Sequence, residues 1–237
     1  MNNNITAELL NKDHIKYLFS IFENNNAKIR LVGGCIRDLF LNKVSKDIDA
    51  ATVVEPNKVL EILNSNNIEY DDFAIQYGSI IAYPMDKKIQ ITTLREDVNQ
   101  IGRHTNVIYT TNWEKDAARR DFSFNAMFLG SNNKIYDYHN GINDLKEKKI
   151  RFIGETEERI KEDYLRIYRY FRFRGLFEIP NIILSEQKIV EKYIHESLSV
   201  LTNEVLRQEI LKMFNMPYPL NCFYNFYKDQ IKFKWVE

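Results

Sequence analysis

Apolar side chains follow a helical spacing in several parts of the chain. Residues 7–24 carry them at roughly this spacing, which predicts one amphipathic helix. A shorter helix is predicted at residues 56–63, because Pro56 suits the first turn of a helix. From Thr156 to about Met213 the pattern is again largely helical, with acidic residues around the start.

Short apolar runs separated by turn residues predict strands in the first two thirds of the chain. Residues 80–83 and 89–94 flank a turn, which predicts a β-hairpin. Residues 127–129 and 135–138 flank a second turn, and these predict another hairpin.

The order of these elements predicts an α+β protein. We expect a mixed α/β domain at residues 1–150 and an all-α domain at residues 151–237. Within the first domain, the polar segment 95–104 is expected to be a loop, and a helix is predicted to begin in residues 113–125.

Composition excludes several classes of protein. Lys and Arg together number 33 and so do Asp and Glu, so any nucleic-acid contact must come from a local patch. Cys35 and Cys222 are too few for a disulfide framework or a zinc site. No apolar run approaches the ~20 residues that cross a bilayer, and the start lacks a signal-peptide pattern. We therefore expect a cytoplasmic protein with no membrane partner.

Candidate chemistry is concentrated in residues 31–50. Gly33 and Gly34 follow an apolar strand and precede a helix with Arg37 and Asp38, an arrangement that suits phosphate binding. Asp47, Ile48 and Asp49 are expected to end a strand, with both carboxylates on one face and Ile48 in the core. Two such carboxylates repel each other unless a cation lies between them, and oxygen ligands favour Mg²⁺. The segment therefore predicts a phosphate-plus-metal site.

Six segments in order resemble the class II tRNA nucleotidyltransferases and bacterial poly(A) polymerases. They read LVGGCIRD, KDIDAAT, ITTLREDVNQIGRH, RRDFSFNAM, EDYLRIYRYFRF and NEVLRQEILKM. The resemblance covers about residues 31–213 and implies a nucleotidyltransferase head with a mixed sheet, followed by a helical neck. The family's body and tail are not expected in this chain.

The resemblance also implies roles for individual residues. Asp47 and Asp49 would bind two catalytic Mg²⁺ ions, which activate an RNA 3′-hydroxyl against a nucleoside triphosphate. The nucleotide-binding residues of the head would be Gly33, Gly34, Arg37, Asp38, Arg119, Arg120, Asp121 and Asn125. Asp97, Gly102 and Arg103 would form the element that couples head to neck.

The helical neck is expected to select the incoming nucleotide by hydrogen bonds to its base. Asp163 and Arg166 are three residues apart and are predicted to share a helix face, where Asp accepts hydrogen bonds and Arg donates them. Cytosine and adenine both offer an amino donor beside a ring-nitrogen acceptor, whereas uracil and guanine do not. Arg169 and Arg172 continue this face and are expected to bind an anion, while the nearby aromatic residues are expected to be core.

The chain departs from the family pattern at one position of the site. Gln90 stands where the family usually has a third carboxylate. A neutral amide is a weaker ligand for Mg²⁺, so we expect Gln90 to slow chemistry more than it weakens nucleotide binding.

Length is a second departure. Residues 214–235 interleave aromatic and lysine side chains, and we expect them to cover the neck or to form the seam to a body on a second polypeptide; stacking on RNA is the alternative. Three functions remain open: addition of C and A to tRNA from CTP and ATP, poly(A) or partial-CCA synthesis, and a non-catalytic nucleotide-binding subunit.

Overall fold

The computed structural model describes residues 3–45, 47–101 and 104–223. It divides into two compact units. The first holds the chain up to Asn99 together with Thr105–Ile142, and the second holds Gln100–His104 with the residues from Asn143 onward. The sequence-based boundary at residue 150 stays a prediction. Within the described ranges, no helix is long and apolar enough to cross a membrane.

A mixed sheet forms the centre of the first unit. Its strands are β1 (Ile29–Val32), β2 (Asp49–Thr52), β3 (Tyr70–Asp71), β4 (Ser79–Ala82), β5 (Ile89–Thr93), β8 (Phe128–Leu129) and β9 (Ile135–Tyr136). Within the described residues the sheet has seven strands in the order β3-β4-β5-β2-β1-β8-β9. Within this sheet the β2–β5 pair is parallel, and the other described pairs are antiparallel. Strands β6 (Arg95–Ile101) and β7 (His104–Tyr109) form a separate two-stranded sheet.

Helices accompany the sheet of the first unit. They are α1 (Asn3–Leu10), α2 (Asp13–Asn24), α3 (Gly34–Phe40), α4 (Pro56–Ser65) and α5 (Trp113–Ala118). Helix α2 buries Ile15, Leu18 and Phe22 completely. Burial of side chains of this size contributes roughly 1.5–3 kcal/mol each, so the apolar face of α2 is a main source of stability.

An arginine in β1 connects the sheet to the start of α5. The Arg30 guanidinium lies 4.0 Å from the centre of the Trp113 ring and 3.5 Å from that of Tyr136. Trp113 also meets Phe128 edge to face, with ring centres 5.2 Å apart. Stacking of a cation between two aromatic rings stabilises such contacts by about 0.5–2 kcal/mol. These contacts hold the segment that follows Trp113 against the sheet.

The second unit is largely helical. Its helices are α6 (Gly141–Lys146, which begins in the first unit), α7 (Thr156–Glu162), α8 (Leu165–Arg174), α9 (Leu184–Lys192), α10 (Ile194–Val200), α11 (Asn203–Phe214) and α12 (Pro219–Phe223). Helix α8 contacts α7, α10, α11 and α12. The predicted core residues Tyr164, Tyr168, Phe171 and Phe173 are all buried, which confirms that expectation.

Several sequence-based expectations are confirmed. The structure is α+β with a mixed sheet, β4 and β5 form the first predicted hairpin, and β8 and β9 form the second. Helix α4 begins at Pro56 as predicted. Each of these elements carried a local signal, either a proline at a helix start or turn residues between apolar runs.

Other expectations are wrong in detail. The first helix is broken into α1 and α2, and the polar segment after Leu94 is strand β6 rather than a loop. The helix at Trp113 ends at Ala118, and a short 3₁₀ turn follows at Ser123–Asn125. Strand β2 begins at Asp49 instead of ending there. Pairing between β6 and β7 supplies the backbone hydrogen bonds that a polar sequence does not signal.

Close packing at Gly141 predicts a large effect of one methyl group on stability. A Cβ atom added there would lie 2.4 Å from the Ser123 carbonyl oxygen, which is fixed backbone. We expect Gly141→Ala to lower the free energy of unfolding by about 1–3 kcal/mol, because the chain must shift to relieve the contact. Urea unfolding followed by circular dichroism measures the change.

The matched control is Gly34→Ala. There the nearest atom to an added Cβ belongs to the Arg37 side chain at 3.5 Å, an ordinary contact. This variant is expected to be as stable as the parent chain or slightly more stable. Equal unfolding midpoints for Gly141→Ala and the parent chain would contradict the packing seen at Gly141.

Candidate functional site

The glycine turn lies between β1 and α3 in the first unit. Gly33 has φ 80° and ψ −127°, a backbone conformation that side chains with a Cβ rarely adopt. Its N–H donates to the Met127 carbonyl oxygen at 3.1 Å. A Cβ on Gly33 would lie 3.5 Å from the Asn125 carbonyl oxygen and 3.7 Å from Arg120 Nη1. The turn therefore lies directly against the RRDFSFNAM segment.

Arg37 is held in place by groups on both sides of its guanidinium. Its Nη1 donates to Asn125 Oδ1 at 2.8 Å, while Nε and Nη2 donate to Asp38 Oδ1 at 2.9 and 2.8 Å. Asn125 Nδ2 in turn donates to Asp121 Oδ1 at 3.2 Å, and the same oxygen accepts the Phe122 N–H at 2.8 Å. The structure thus brings together four of the predicted nucleotide-binding residues, and Asn125 supports Arg37 directly.

Asp47 and Asp49 flank a buried residue. Ile48 is only 9% exposed, Asp49 opens β2, and Asp47 precedes the strand and is exposed. Burial raises the pKa of Asp49 above its ordinary value; Arg120 opposes this shift and the charge of Asp47 adds to it. The charge of Asp47 thus acts on Asp49, but the strand begins rather than ends at this point. That both carboxylates share one face stays a prediction. A divalent cation would relieve their repulsion.

Gln90 occupies the strand position next to Asp49. The two residues are Cα partners in the parallel pairing of β2 with β5. Gln90 Nε2 donates to Ser79 Oγ at 2.8 Å, so Oε1 is the atom that the side chain can offer to a cation. Among the described residues, no group of three or more His, Cys, Asp or Glu side chains is arranged to hold a metal ion. The oxygen ligands that Asp47, Asp49 and Gln90 could offer to a cation are therefore two carboxylates and one amide.

Arg119 and Arg120 are organised by a residue that sequence reasoning missed. Asp116 Oδ1 accepts from Arg119 Nε at 2.9 Å, and Oδ2 accepts from Arg120 Nη2 at 3.0 Å. Burial of the Asp116 carboxyl opposes its ionisation, but the charges of Arg120 and then Arg119 hold its pKa below the ordinary value. The spacing D-x-x-R-R was the available signal, since residues three and four apart on a helix are neighbours.

Asp163 does not share a helix face with Arg166, so that prediction is wrong. Helix α7 ends at Glu162, and Asp163 has an extended backbone with φ −151° and ψ 104°. Its Oδ1 accepts the Leu165 N–H at 3.0 Å, which satisfies one of the donors at the start of α8. The carboxylate therefore belongs to the junction between two helices rather than to a helix face.

Arg166 is buried in the second unit, with 6% of the residue exposed. Its Nη1 donates to the Arg159 carbonyl oxygen at 2.7 Å and to Glu162 Oε2 at 2.6 Å. These contacts fix the guanidinium beside the Asp163 junction.

The two further arginines of α8 differ in their surroundings. Arg172 Nε lies 2.9 Å from Oε1 of Glu209, a carboxylate of α11 that is 1% exposed. The guanidinium of Arg169 lies 5.6 Å from the centre of the Phe173 ring. The expectation that both arginines bind an anion did not include Glu209, because no local pattern links α8 to α11. Arg172 already has a carboxylate partner within the helical unit.

Part of the predicted machinery lies outside the described residues. This holds for Gly102 and Arg103 and for the side chain of Asp97, whose backbone lies in β6. The aromatic and lysine-rich segment after Phe223 also falls there. Cys35, by contrast, is described: it is 2% exposed, and burial raises the pKa of its thiol to about 12, which is typical of a packing residue.

Comparison with known proteins identifies the family. The family described as "Poly A polymerase head domain" matches residues 29–151, just over half of the chain. The mitochondrial CCA tRNA nucleotidyltransferase 1 of Homo sapiens is 45% identical over 162 residues, which are 68% of this chain and 37% of that protein. The CCA-adding enzyme of Oceanobacillus iheyensis is 35% identical over 187 residues, which are 77% of this chain and 45% of that protein. This chain thus spans less than half the length of these relatives.

Solved structures agree on the fold. The Bacillus stearothermophilus CCA-adding enzyme in complex with CTP superposes with a TM-score of 0.79 at 24% identity, over 90% of this chain and 51% of that one. The Thermotoga maritima CCA-adding enzyme complexed with tRNA gives 0.75 at 23% identity, over 98% and 54%. The family match, together with the motifs and the fold, shows that this chain belongs to the poly A polymerase head domain family, that of the class II tRNA nucleotidyltransferases and bacterial poly(A) polymerases.

Proposed function

We propose that this chain adds C and A residues to the 3′ end of tRNA, without a template, from CTP and ATP. The observation that carries the proposal is the arrangement in the first unit. There Asp49 feels the charges of both Arg120 and Asp47, and Arg120 lies against the glycine turn that leads to Arg37. The names of the relatives, which are CCA-adding enzymes and CCA tRNA nucleotidyltransferases, support the same function.

The donor set at Asp47, Asp49 and Gln90 fits Mg²⁺. Magnesium binds through one or two carboxylates and takes its remaining ligands from water and substrate phosphates. The raised pKa of Asp49 shows that burial and Asp47 disfavour its charged form, a penalty that a bound cation offsets. Two Mg²⁺ ions would neutralise the developing charge on the triphosphate and activate the attacking hydroxyl.

The side chains of the first unit bind and orient the nucleotide. Gly33 and Gly34 let the phosphates approach the backbone, while Arg37, Arg119 and Arg120 donate hydrogen bonds to phosphate oxygens. The RNA 3′-oxygen forms a bond to the α-phosphorus as the bond from that phosphorus to pyrophosphate breaks. Orientation of these reacting groups is the main contribution that the protein makes.

Asp163 and Arg166 select the base in this proposal. Asp163 accepts a hydrogen bond from the amino group of cytosine or adenine, and Arg166 donates one to the ring nitrogen beside it. Uracil and guanine would leave polar groups unpaired, at a cost of ~1–3 kcal/mol for each group. The ion pair of buried Arg166 with partly exposed Glu162 supports this role, because it fixes the donor before the base arrives.

The direct test is incorporation by the purified chain. A tRNA that lacks its terminal nucleotides is incubated with Mg²⁺ and each nucleoside triphosphate separately, and then with CTP and ATP together. Addition of two C residues followed by one A, with no use of UTP or GTP, is the expected result. Runs of A alone would support the poly(A) alternative, and no incorporation would leave only the nucleotide-binding alternative, that of a chain completed by a second polypeptide.

Removal of one charge at the proposed metal site should slow incorporation strongly. We expect Asp49→Asn to lower the rate of CTP incorporation by about 100-fold or more, because the amide holds a divalent cation poorly. The matched control is Asp72→Asn, an exposed aspartate, which should retain the parent rate. The measurement is single-turnover extension of the tRNA. A rate for Asp49→Asn within threefold of the parent would contradict the proposed site.

Restoration of a third carboxylate should speed the reaction. Gln90→Glu is expected to raise the turnover rate severalfold while the KM for CTP changes little, because the acidic side chain is a stronger ligand for Mg²⁺. Gln76→Glu makes the same change of charge at an exposed position and serves as the control. The measurement is the steady-state rate at saturating CTP. An unchanged turnover rate for Gln90→Glu would contradict the expectation that the neutral Gln90 slows the reaction.

A further inference from the structure

We infer that Asp116 is a positioning residue, which orients the Arg120 guanidinium toward the triphosphate at the Gly33 turn. This inference rests on the proposed function, since it assigns a role in binding the same nucleotide. It concerns a residue that does not touch the nucleotide itself and acts through the arginine.

The burial of Asp116 differs sharply from that of its partners. Its side chain is 1% exposed, whereas those of Arg119 and Arg120 are 16% and 18% exposed. The carboxylate is therefore out of reach of any ligand, and the arginines are not. A buried carboxylate that receives guanidinium donors on both oxygens can fix where each guanidinium points.

The contacts of Arg120 show which nitrogen of its guanidinium lies toward the glycine turn at Gly33. Its Nε and Nη2 both donate to Asp116 Oδ2, at 3.3 and 3.0 Å. The third nitrogen, Nη1, lies 3.7 Å from the position that a Cβ on Gly33 would occupy. Because a guanidinium is planar and rigid, fixing one edge on Asp116 fixes the direction of Nη1. Phosphate oxygens at the glycine turn would meet that nitrogen.

Asp116 also connects this arginine to the start of β6. The backbone N–H of Arg95 donates to Asp116 Oδ1 at 3.2 Å, the same oxygen that accepts from Arg119. The two oxygens of Asp116 thus have different partners: Oδ1 accepts from Arg95 and Arg119, and Oδ2 accepts from Arg120.

This division predicts what an amide would do in place of the carboxylate. In Asp116→Asn the remaining oxygen can keep the Arg95 and Arg119 contacts, but the NH₂ group then faces the N–H donors of Arg120. Two donors cannot bond each other, so the guanidinium of Arg120 turns away. The shape and volume of the side chain hardly change.

The test is the affinity for CTP and for cytidine in the presence of Mg²⁺, measured by calorimetry. We expect Asp116→Asn to weaken CTP binding about tenfold or more and to leave cytidine binding unchanged, because charge-assisted contacts to phosphate are lost. The matched control is Asp144→Asn. Asp144 is likewise buried, at 3% exposed, and accepts from Arg151 Nε at 2.8 Å, but it lies in the second unit.

A combined variant separates positioning from a general loss of structure. If Asp116 acts through Arg120, Asp116→Asn combined with Arg120→Gln should bind CTP no more weakly than Arg120→Gln alone. The inference would be overturned if the losses of CTP affinity in the two single variants multiplied in the double variant. Equal CTP affinity in Asp116→Asn and Asp144→Asn would also overturn it. Asp116→Glu keeps the charge but displaces the carboxylate, so it should also weaken CTP binding; parent affinity in that variant would overturn the inference too.

Binding by the parent chain shows whether a negative result contradicts the role of Asp116 or the proposed function itself. Should the parent bind CTP no better than cytidine, the proposed triphosphate site itself fails. Should the parent prefer CTP and Asp116→Asn retain that preference, only the role of Asp116 fails.

Discussion

Repulsion between two neighbouring carboxylates is the constraint on which the candidate site depends. Asp47 and Asp49 are held around buried Ile48, and the charge of Asp47 adds to the burial that raises the pKa of Asp49. A pair of this kind costs free energy in the absence of a cation. In the proposed function, a cation bound there would meet the phosphates of a nucleotide held by the glycine turn, Arg37 and Arg120.

Carboxylates, and in one case an amide, orient the arginines in both units. Asp38 and Asn125 hold Arg37, Asp116 holds Arg119 and Arg120, Glu162 holds Arg166, and Glu209 holds Arg172. Buried ion pairs contribute little net stability, because desolvation offsets their attraction. What these contacts do is fix the direction of each guanidinium. In the proposed function, an arginine that is already oriented loses less entropy when it binds the nucleotide.

Local signals explain which parts of the structure were predictable. The glycine turn, the hairpins and the helix at Pro56 each follow from a few adjacent residues, and the motifs identified the family. The partners contributed by distant segments were not predictable in this way. Glu209 meets Arg172 only because α11 packs on α8. Asp163 was misplaced because charge spacing indicates one continuous helix, whereas the chain breaks between α7 and α8.

If the two carboxylates hold a cation against a nucleotide, binding of the cation and binding of the nucleotide to the isolated chain must be coupled. Mn²⁺ replaces Mg²⁺, and its bound fraction is followed by electron paramagnetic resonance with and without CTP. We expect CTP to tighten Mn²⁺ binding to the parent chain, Mg²⁺ to displace the ion, and Asp49→Asn to lose the effect of CTP. Mn²⁺ binding that is indifferent to CTP, or equal in the parent and Asp49→Asn, would contradict this expectation.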